Sequence, residues 1–167
     1  MSVSNFIQPS ELRAFAGNFA TGVAVVTTRD AGGRCYGLTM NAVTSLSLNP
    51  PLLLICLDNA SSTLRALEES NHFCLHFLAA DQQPISNLFS TKVDDKFASL
   101  TYSIGEFGSP VLFGVVAAGE CQVASKYPGG DHTIVVGAVR AMSVSGGEPL
   151  VYHRGQYASL VGHRKSA

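Results

Sequence analysis

The sequence predicts a mainly β protein, a closed or partly closed antiparallel barrel that carries a few short helices. Seven or so short runs of β-branched and apolar residues recur along the chain, separated by Gly- or Pro-containing turns. Helical segments interrupt only some of these runs, so the regular strand–helix alternation of a doubly wound sheet is missing. The 167 residues are about one domain long, with an expected core over 6–160 and a flexible tail over 161–167.

The first 40 residues predict a short helix followed by a β-hairpin. Four apolar side chains in residues 9–19 recur at helical spacing: Leu12, Phe15, Ala16 and Phe19. Ser10 is the expected cap of this helix. Residues 23–28 are rich in β-branched side chains, and a glycine-containing turn at 30–33 leads to a second strand at 34–39.

The middle of the chain alternates strands with short helices. Residues 52–57 are apolar at every position, which predicts a central strand covered by the barrel interior on one face and by a helix or a partner subunit on the other. A helix follows the hydroxyl-bearing cap at 61–63, and 73–78 return to strand character. Residues 81–89 predict another short helix, with Asp81 as its cap.

The second half of the chain is predicted to be mainly β. Its expected strands are 111–116, 119–124, 133–144 and 150–153. The net charge of −1, with 14% charged residues, offers no basic stripe for a nucleic acid. Low charge in a chain that is 46% hydrophobic also leaves apolar surface that a second copy could bury, which favours a homodimer.

Membrane insertion, export and metal binding are not expected. The longest strongly apolar stretch, 50–57, is far too short to cross a bilayer, and the N-terminus lacks the pattern of a signal peptide, so we expect a cytoplasmic protein. Four cysteines fall singly within apolar segments and are interpreted as reduced core residues. No His or Cys pair has the spacing of zinc ligands, and no metal site is predicted.

Residues 38–47 join a strand to a turn and are rich in small and hydroxyl-bearing side chains. Small side chains let a flat ligand approach the backbone, whose N–H and C=O groups can bond to the polar edge of a ring. The edge of an isoalloxazine, with its alternating donors and acceptors, would suit such a site. The same composition fits an ordinary strand and turn, so spacing alone leaves both interpretations open.

A second candidate site follows the strand at 52–57, where Ser61, Ser62 and Thr63 begin a helix. The unpaired N–H groups and the positive end of a helix dipole favour an anion, and three hydroxyls add donors. A flavin phosphate could bind there, with Arg65 nearby. Ser and Thr are also the commonest helix caps, and both roles are compatible.

A third candidate is the turn Gly129-Gly130-Asp131-His132 before a β-branched strand. Glycines permit a tight turn with positive φ, which would bring His132 to the rim of that strand. The alternative is an ordinary turn with a solvated histidine. Among the other histidines, His76 is expected to be a satisfied core residue, whereas the rest are expected to face solvent: His72, His153 and His163.

Taken together, residues 22–28, 38–51 and 129–132 resemble the short-chain flavin reductase family, the reductase components of two-component flavin monooxygenases. The likeness extends over about 6–160 and includes the expected segments 73–78 and 83–89 in order. The resemblance implies an FMN-binding split barrel that forms a homodimer, with the flavin near the subunit interface. NADH or NADPH would reduce the flavin, with FMN as the first choice and FAD possible. Reduced flavin would then diffuse to a partner oxygenase.

Carried over by position, the resemblance also implies roles for individual residues. The flavin ring and ribityl chain would contact Thr39, Asn41, Ala42, Thr44 and Ser45. The phosphate would bind at Ser61, Ser62 and Thr63, and the turn at Gly130 and Asp131 would place His132, the catalytic candidate, near the nicotinamide. Phe89 and Lys92 would border the pocket. The family often has a serine where this chain has Ala42, so one hydrogen bond to the flavin is either missing or made by the backbone.

Two rival functions use the same kind of barrel. A flavin carrier without reductase turnover would hold flavin in a similar site, although the turn at His132 argues against it. An oxidase of the pyridoxamine-phosphate type would need a basic phosphate-binding cluster, which the sequence does not display. No arginine pair clearly awaits a 2′-phosphate, which favours NADH, but Lys126 and Arg154 could serve NADPH.

Overall fold

A computed structural model describes residues 6–160 and confirms the mainly β, antiparallel architecture. Its helices are α1 (Pro9–Ala16), α2 (Ser62–Ser70) and α3 (Gln83–Ser90). Its strands are β1 (Thr21–Gly22), β2 (Ala24–Arg29), β3 (Cys35–Met40), β4 (Val43–Leu48), β5 (Pro51–Asp58), β6 (His72–Phe77), β7 (Tyr102–Ile104), β8 (Pro110–Leu112), β9 (Ala117–Gly129), β10 (His132–Val144), β11 (Val151–His153) and β12 (Gln156–Ala158). The described part of the chain contains no helix of the length and apolarity that crossing a membrane requires.

Seven strands form the main sheet, in the order β3-β2-β6-β9-β10-β5-β4, and every neighbouring pair is antiparallel. The two edge strands, β3 and β4, are consecutive in the chain and are joined by Asn41 and Ala42 alone. A connection this short brings the two edges together at one corner, so the sheet must curl. The edges do not pair with each other within the described residues, and the barrel therefore stays split.

The curled sheet buries apolar side chains on both of its faces. Inside the barrel, Phe73 and Ile55 pack with Leu67 of α2. On the other face, Val25 and Phe89 belong to a second cluster. The central strands β2 and β6 contribute to both clusters, because alternate residues of a strand point to opposite faces.

A close approach inside the first cluster requires a glycine at position 137. A Cβ atom on Gly137 would lie 2.5 Å from Cζ of Phe73 and 2.9 Å from Cβ of Cys121. Both neighbours are fully buried, so neither can move aside without disturbing the core. The β9–β10 register also shifts between Val136 and Gly137, which bends the strand at this point.

His76 is confirmed as a satisfied core residue. Its side chain is fully buried on β6. Nδ1 lies 3.0 Å from the carbonyl oxygen of Val25, and Nε2 accepts the backbone N–H of Leu112 at 3.1 Å. The ring is therefore neutral, with its proton on Nδ1, and it links β2, β6 and β8. Burial lowers the pKa of His76 from 6.5 to about 4.

Two predicted helix caps are wrong. Helix α1 begins at Pro9, which suits the first helical position, so Ser10 lies inside the helix. Gln8 is the N-cap instead, and its N–H donates to the Glu11 carboxylate at 2.8 Å. Helix α3 begins at Gln83, and its N-cap is Gln82 rather than Asp81.

Several strand predictions also need correction. The strand predicted over 111–116 ends at Leu112, and the chain turns at Gly114, which has a φ of 74°. Strand β9 continues beyond the predicted end at 124 to Gly129, because it pairs with β10 along its whole length. Strand β5 is not central: it lies between β10 and the edge strand β4.

The expectation that His72 faces solvent is wrong as well. Its Nδ1 lies 2.7 Å from Oγ of Ser109, and burial lowers the pKa of the ring. His153 is half-buried. His163 and the predicted tail over 161–167 lie outside the described residues. The four cysteines are free thiols. Cys74 and Cys121 are fully buried, as expected for core residues, whereas Cys35 and Cys56 are only half-buried.

We predict that His76 makes the protein less stable in mild acid. The unfolded chain takes up a proton below pH 6.5, whereas the folded protein resists protonation down to about pH 4, so stability is complete above pH 6.5 and falls between these values. Between pH 7.5 and 5, this residue should lower the free energy of unfolding by about 2 kcal/mol.

Urea unfolding at several pH values, on the wild type and on His76→Gln, tests this. The glutamine variant keeps a donor and an acceptor but does not titrate, so its stability should depend less steeply on pH. Parallel pH profiles for the two proteins would contradict the assignment.

Candidate functional site

The three sequence motifs meet at one end of the barrel. Strand β5 ends and β10 begins there, with Asp58 opposite His132. Strand β4 begins at the same end, where the N–H of Cys56 donates to the carbonyl of Ala42 at 3.1 Å. Because β10, β5 and β4 are neighbours in the sheet, the ends of these strands lie side by side, about 5 Å apart.

Hydrogen bonds join Asn59, in the loop between β5 and the second motif, to the third motif. The backbone N–H of Asn59 donates to the carbonyl of Asp131 at 3.0 Å, and its side-chain amide donates to the carbonyl of Gly130 at 3.3 Å. Thr133 Oγ1 donates to the Asn59 Oδ1 atom at 2.8 Å. The loop that leads into α2 and the β9–β10 turn therefore form one unit.

A groove of about 800 Å³ follows the outer edge of β3. One wall is the first half of α2, and the other is the end of α3 with the segment that follows it. Its lining includes five predicted site residues, Thr39, Ser61, Ser62, Thr63 and Phe89, together with the predicted neighbours Arg65 and Lys92. Since β3 pairs only with β2 in the described sheet, its outer edge presents backbone groups to the groove.

Helix α2 points its N-terminus into this groove. Ser61 is the N-cap, and its Oγ accepts the N–H of Thr63 at 3.1 Å. The capping interpretation of this motif is therefore confirmed. The cap leaves the positive end of the helix beside the groove, so an anion can still be stabilised there.

The groove is cationic, which the sequence analysis did not expect. Its lining holds four cationic side chains, Arg34, Arg65, Lys92 and Lys96, and two carboxylates, Asp58 and Asp94, which leaves an excess of two positive charges. The expectation that the chain has no basic cluster is wrong. The cations come from separate elements of the chain, and the fold brings them together. The objection to a pyridoxamine-phosphate oxidase that rested on this expectation therefore falls.

Lys96 ties the wall formed by α3 and the segment after it to strand β3. Its ammonium donates to the carbonyl of Gly37 on β3 at 3.0 Å and to that of Phe89 at the end of α3 at 2.8 Å. Burial lowers the pKa of Lys96. A Cβ atom on Gly37 would lie 2.7 Å from Cε1 of Phe89, so a glycine lets α3 lie this close to β3.

Phe89 supports the groove from behind rather than presenting its ring to it. The side chain is 1% exposed and contacts Phe97 edge to face, with ring centroids 5.2 Å apart. Its predicted place at the border of the pocket is thus supported by the lining, but nearly all of its surface is used in the core.

A smaller pocket of about 370 Å³ adjoins the groove, and Thr39 and Ser90 line both. The smaller pocket is also lined by the predicted residue Asn41 and by two aromatic residues, Tyr152 and Tyr157. Thr39 Oγ1 donates to the carbonyl of Ser86 at 2.6 Å, so this hydroxyl anchors α3 to β3.

The predicted residues of β4 and of the turn line neither pocket. Ala42, Thr44 and Ser45 are exposed on the edge strand or just before it. Gly130 has the expected positive φ, 75°, and Asp131 is exposed beside it.

His132 begins β10 beside the turn and bonds to the neighbouring residue of the chain. Its Nδ1 is 2.7 Å from Oδ1 of Asp131, and this hydrogen bond lowers the pKa of the carboxyl group. An ionised carboxylate only accepts, so Nδ1 carries the proton and Nε2 is left for a ligand. The side chain is 42% exposed, which leaves it accessible from solvent.

Sequence reasoning missed the contributions of Arg34, Tyr36 and Lys96 to the groove. Arg34 follows a glycine turn. Its place as a cation at the start of an edge strand was the only local sign of a role in the groove. Lys96 lies in a segment without regular structure, so neither periodicity nor a motif indicated its position.

Comparison with known proteins identifies the family. Residues 16–161 match the model of the flavin reductase like domain. A probable flavin reductase of Rhizobium meliloti is 41% identical over 149 residues, which cover 89% of this chain and 48% of that protein. A flavin reductase of Pseudomonas putida is 38% identical and is matched over 95% of this chain and 94% of its own length.

Solved structures agree with these matches. A homologue of nitrilotriacetate monooxygenase component B from Mycobacterium thermoresistibile superposes with a TM-score of 0.89, at 33% identity, over 95% of this chain and 89% of that one. An NADH:FAD oxidoreductase of Streptomyces globisporus, in complex with NAD and FAD fragments, gives a TM-score of 0.88 at 31% identity. The match covers 97% of this chain and 100% of that one. The matched domain, the relatives and the shared split barrel together place this chain in the flavin reductase-like family.

Proposed function

We propose that the protein is an NAD(P)H-dependent flavin reductase that supplies reduced flavin to a partner oxygenase. The proposal rests on one observation: the three motifs meet beside a cationic groove at one end of the barrel. We take FMN as the flavin, with FAD as the alternative, and NADH ahead of NADPH. A solved neighbour is a monooxygenase component and another is an NADH:FAD oxidoreductase, which supports both an oxygenase partner and NADH.

The residues of the groove suit a flavin with a phosphate. The excess of two positive charges matches the charge of a phosphate group. The N-terminus of α2 adds its positive end beside Ser61, Ser62 and Thr63. The outer edge of β3 offers backbone donors and acceptors near Thr39, where a flat polar ring could bind.

The protein's contribution to the reaction is binding and orientation. When bound, the flavin supplies the redox chemistry by accepting a hydride from the nicotinamide. Lys96 and Thr39 keep β3 and α3 at a fixed separation, so the groove is formed before a ligand arrives. Asp131 accepts the Nδ1 proton of His132, so Nε2 is left as an acceptor for a donor on the nicotinamide side of the site.

A homodimer would cover apolar surface that the single chain exposes. Helix α1 buries none of its residues, and Phe15 is 78% exposed. On the edge strand β4, Leu48 is 94% exposed. At the far end of β10, which extends past β5, Met142 and Val144 are exposed as well. A second copy of this chain is the occupant we propose for these surfaces.

A carrier without turnover is the second candidate function, and the accessible ring of His132 argues against it. The cytoplasmic location stays a prediction, to which the four free thiols add support because a reducing compartment preserves them.

The reductase proposal predicts that anaerobic mixing of the protein and FMN with NADH bleaches the flavin absorbance within seconds. Stopped-flow absorbance measures this, and NADPH is run in parallel to establish which nucleotide is preferred. Bound flavin that stays yellow with an excess of both nucleotides would support the carrier instead.

We predict that His132→Ala lowers kcat/KM for NADH about tenfold while it changes flavin affinity less than twofold, because the ring lies at the rim rather than in the groove. Flavin titration and steady-state kinetics separate the two effects. His153→Ala, at a half-buried histidine that lines neither pocket, is the matched control. Equal losses of flavin affinity and turnover in His132→Ala would refute the role.

The dimer proposal predicts a sedimentation mass of twice the chain mass at micromolar concentration. Phe15→Glu places a charge on the apolar face of α1, which should shift the protein toward monomers. Ser10→Glu, on the same exposed helix, is the control and should remain dimeric. A wild-type protein that sediments as a monomer at all concentrations would overturn the proposal.

A further inference from the structure

Asn59 lies in the loop between β5 and α2 and bonds to residues on both sides of His132. Its backbone N–H donates to the carbonyl of Asp131 at 3.0 Å, and its Nδ2 donates to the carbonyl of Gly130 at 3.3 Å. On the other side of the histidine, Thr133 Oγ1 donates to the Asn59 Oδ1 atom at 2.8 Å. One residue therefore uses its backbone N–H and both ends of its side-chain amide to hold the backbone that carries the histidine.

The turn that Asn59 holds has little conformational restraint of its own. Two consecutive glycines, Gly129 and Gly130, precede Asp131, and Gly130 has a φ of 75°. Glycine has more backbone freedom to lose on folding than any other residue, so a turn built on it needs bonds from elsewhere to stay in place. Residues 129–131 are also exposed. Hydrogen bonds rather than packing therefore have to fix the position of this turn.

The hydrogen bond between His132 and Asp131 cannot supply this restraint. Both residues belong to the same turn, so the carboxylate orients the ring but moves with it. Asn59 belongs to a different element of the structure, and its bonds can therefore set where the turn lies relative to the rest of the site.

The loop that contains Asn59 is itself closed by hydrogen bonds. The Asp58 carboxylate accepts the N–H of Ala60 at 2.7 Å, and the carbonyl of Asp58 accepts the N–H of Ser61 at 2.9 Å. Ser61 is the N-cap of α2. Asn59 is therefore fixed two positions from the cap at which the flavin phosphate is proposed to bind. It lines neither pocket, whereas the residues on either side of it line the groove.

We propose that Asn59 is a positioning residue that sets the place of His132 relative to the N-terminus of α2. The flavin is held at that end of the helix and the nicotinamide beside the histidine, so the asparagine controls how the two reacting rings meet. Hydride transfer is sensitive to this geometry, because the reacting atoms must approach to about 3–3.5 Å. The proposal rests on the proposed function, since it takes His132 to act on the nicotinamide.

The test is a double-mutant cycle between Asn59→Ala and His132→Ala, run on kcat/KM for NADH and on NADH affinity. Asn59→Ala should lower kcat/KM about fivefold when His132 is present but less than twofold in the His132→Ala background, because the asparagine acts through the histidine. FMN affinity and the melting temperature should stay close to those of the wild type, since Asn59 is exposed and Ser61 still caps α2.

Thr133 offers a matched pair of variants. Thr133→Val removes the hydroxyl that donates to Asn59 and should lower kcat/KM about threefold, whereas Thr133→Ser keeps the hydroxyl and should match the wild type. Hydrogen exchange over residues 129–133 should become about fivefold faster in Asn59→Ala, because the turn loses its restraint. It should stay unchanged in Thr133→Ser.

Equal losses of kcat/KM from Asn59→Ala in the two backgrounds would overturn the proposal, because the asparagine would then act independently of the histidine. Unchanged kcat/KM would overturn it too. A loss of FMN affinity as large as the loss of turnover would instead assign Asn59 a structural role at the cap. Failure of the proposed function is a separate result, in which the wild type leaves the flavin oxidised with NADH and NADPH. The cycle on NADH affinity and the hydrogen exchange then decide whether Asn59 positions the histidine.

Discussion

The two-residue connection between β3 and β4 is the constraint on which the site depends. Asn41 and Ala42 must carry the chain from one edge of a seven-stranded sheet to the other, which forces the sheet to curl. The curl encloses one apolar cluster and leaves the outer edge of β3 unpaired. An unpaired edge is normally a liability, but here α2 and α3 flank it and convert it into the floor of a groove.

The α3 wall of the groove is held against β3 by close packing and by two side chains that bond to backbone. Gly37 lets Phe89 approach β3, Lys96 bonds to the carbonyls of both residues, and Thr39 bonds to α3 one turn earlier. A groove held in this way is formed before a ligand binds, so binding does not have to order it. Preorganisation is what a reaction with little need for acid–base catalysis asks of a protein.

Features that depend on local sequence were predicted correctly. The β2–β3 hairpin, the Ser61 cap and the positive φ of Gly130 follow from residues that are close together in the chain. His76 was also predicted, because a histidine within a continuous apolar strand has to be buried and paired.

Features that depend on distant contacts were not predicted. His72 is half-buried because Ser109, 37 positions away, bonds to it. The cationic groove combines Arg34 with Lys96, which only the pairing of β3 with its neighbours and the packing of α3 bring together. The caps of α1 and α3 failed for a different reason, since each helix contains a proline near its start that fixes where it begins.

The proposed flavin site and the proposed dimer depend on the same edge strand. Thr44 and Ser45 are exposed on β4 and line neither pocket of the single chain, yet they are predicted to contact the flavin. Leu46 and Leu48, on the same strand, are the apolar residues that a second copy would cover. A partner seated on β4 would therefore build a wall above the end of the groove where Thr39 lies. In that arrangement, burial of apolar surface would both hold the dimer together and complete the flavin site.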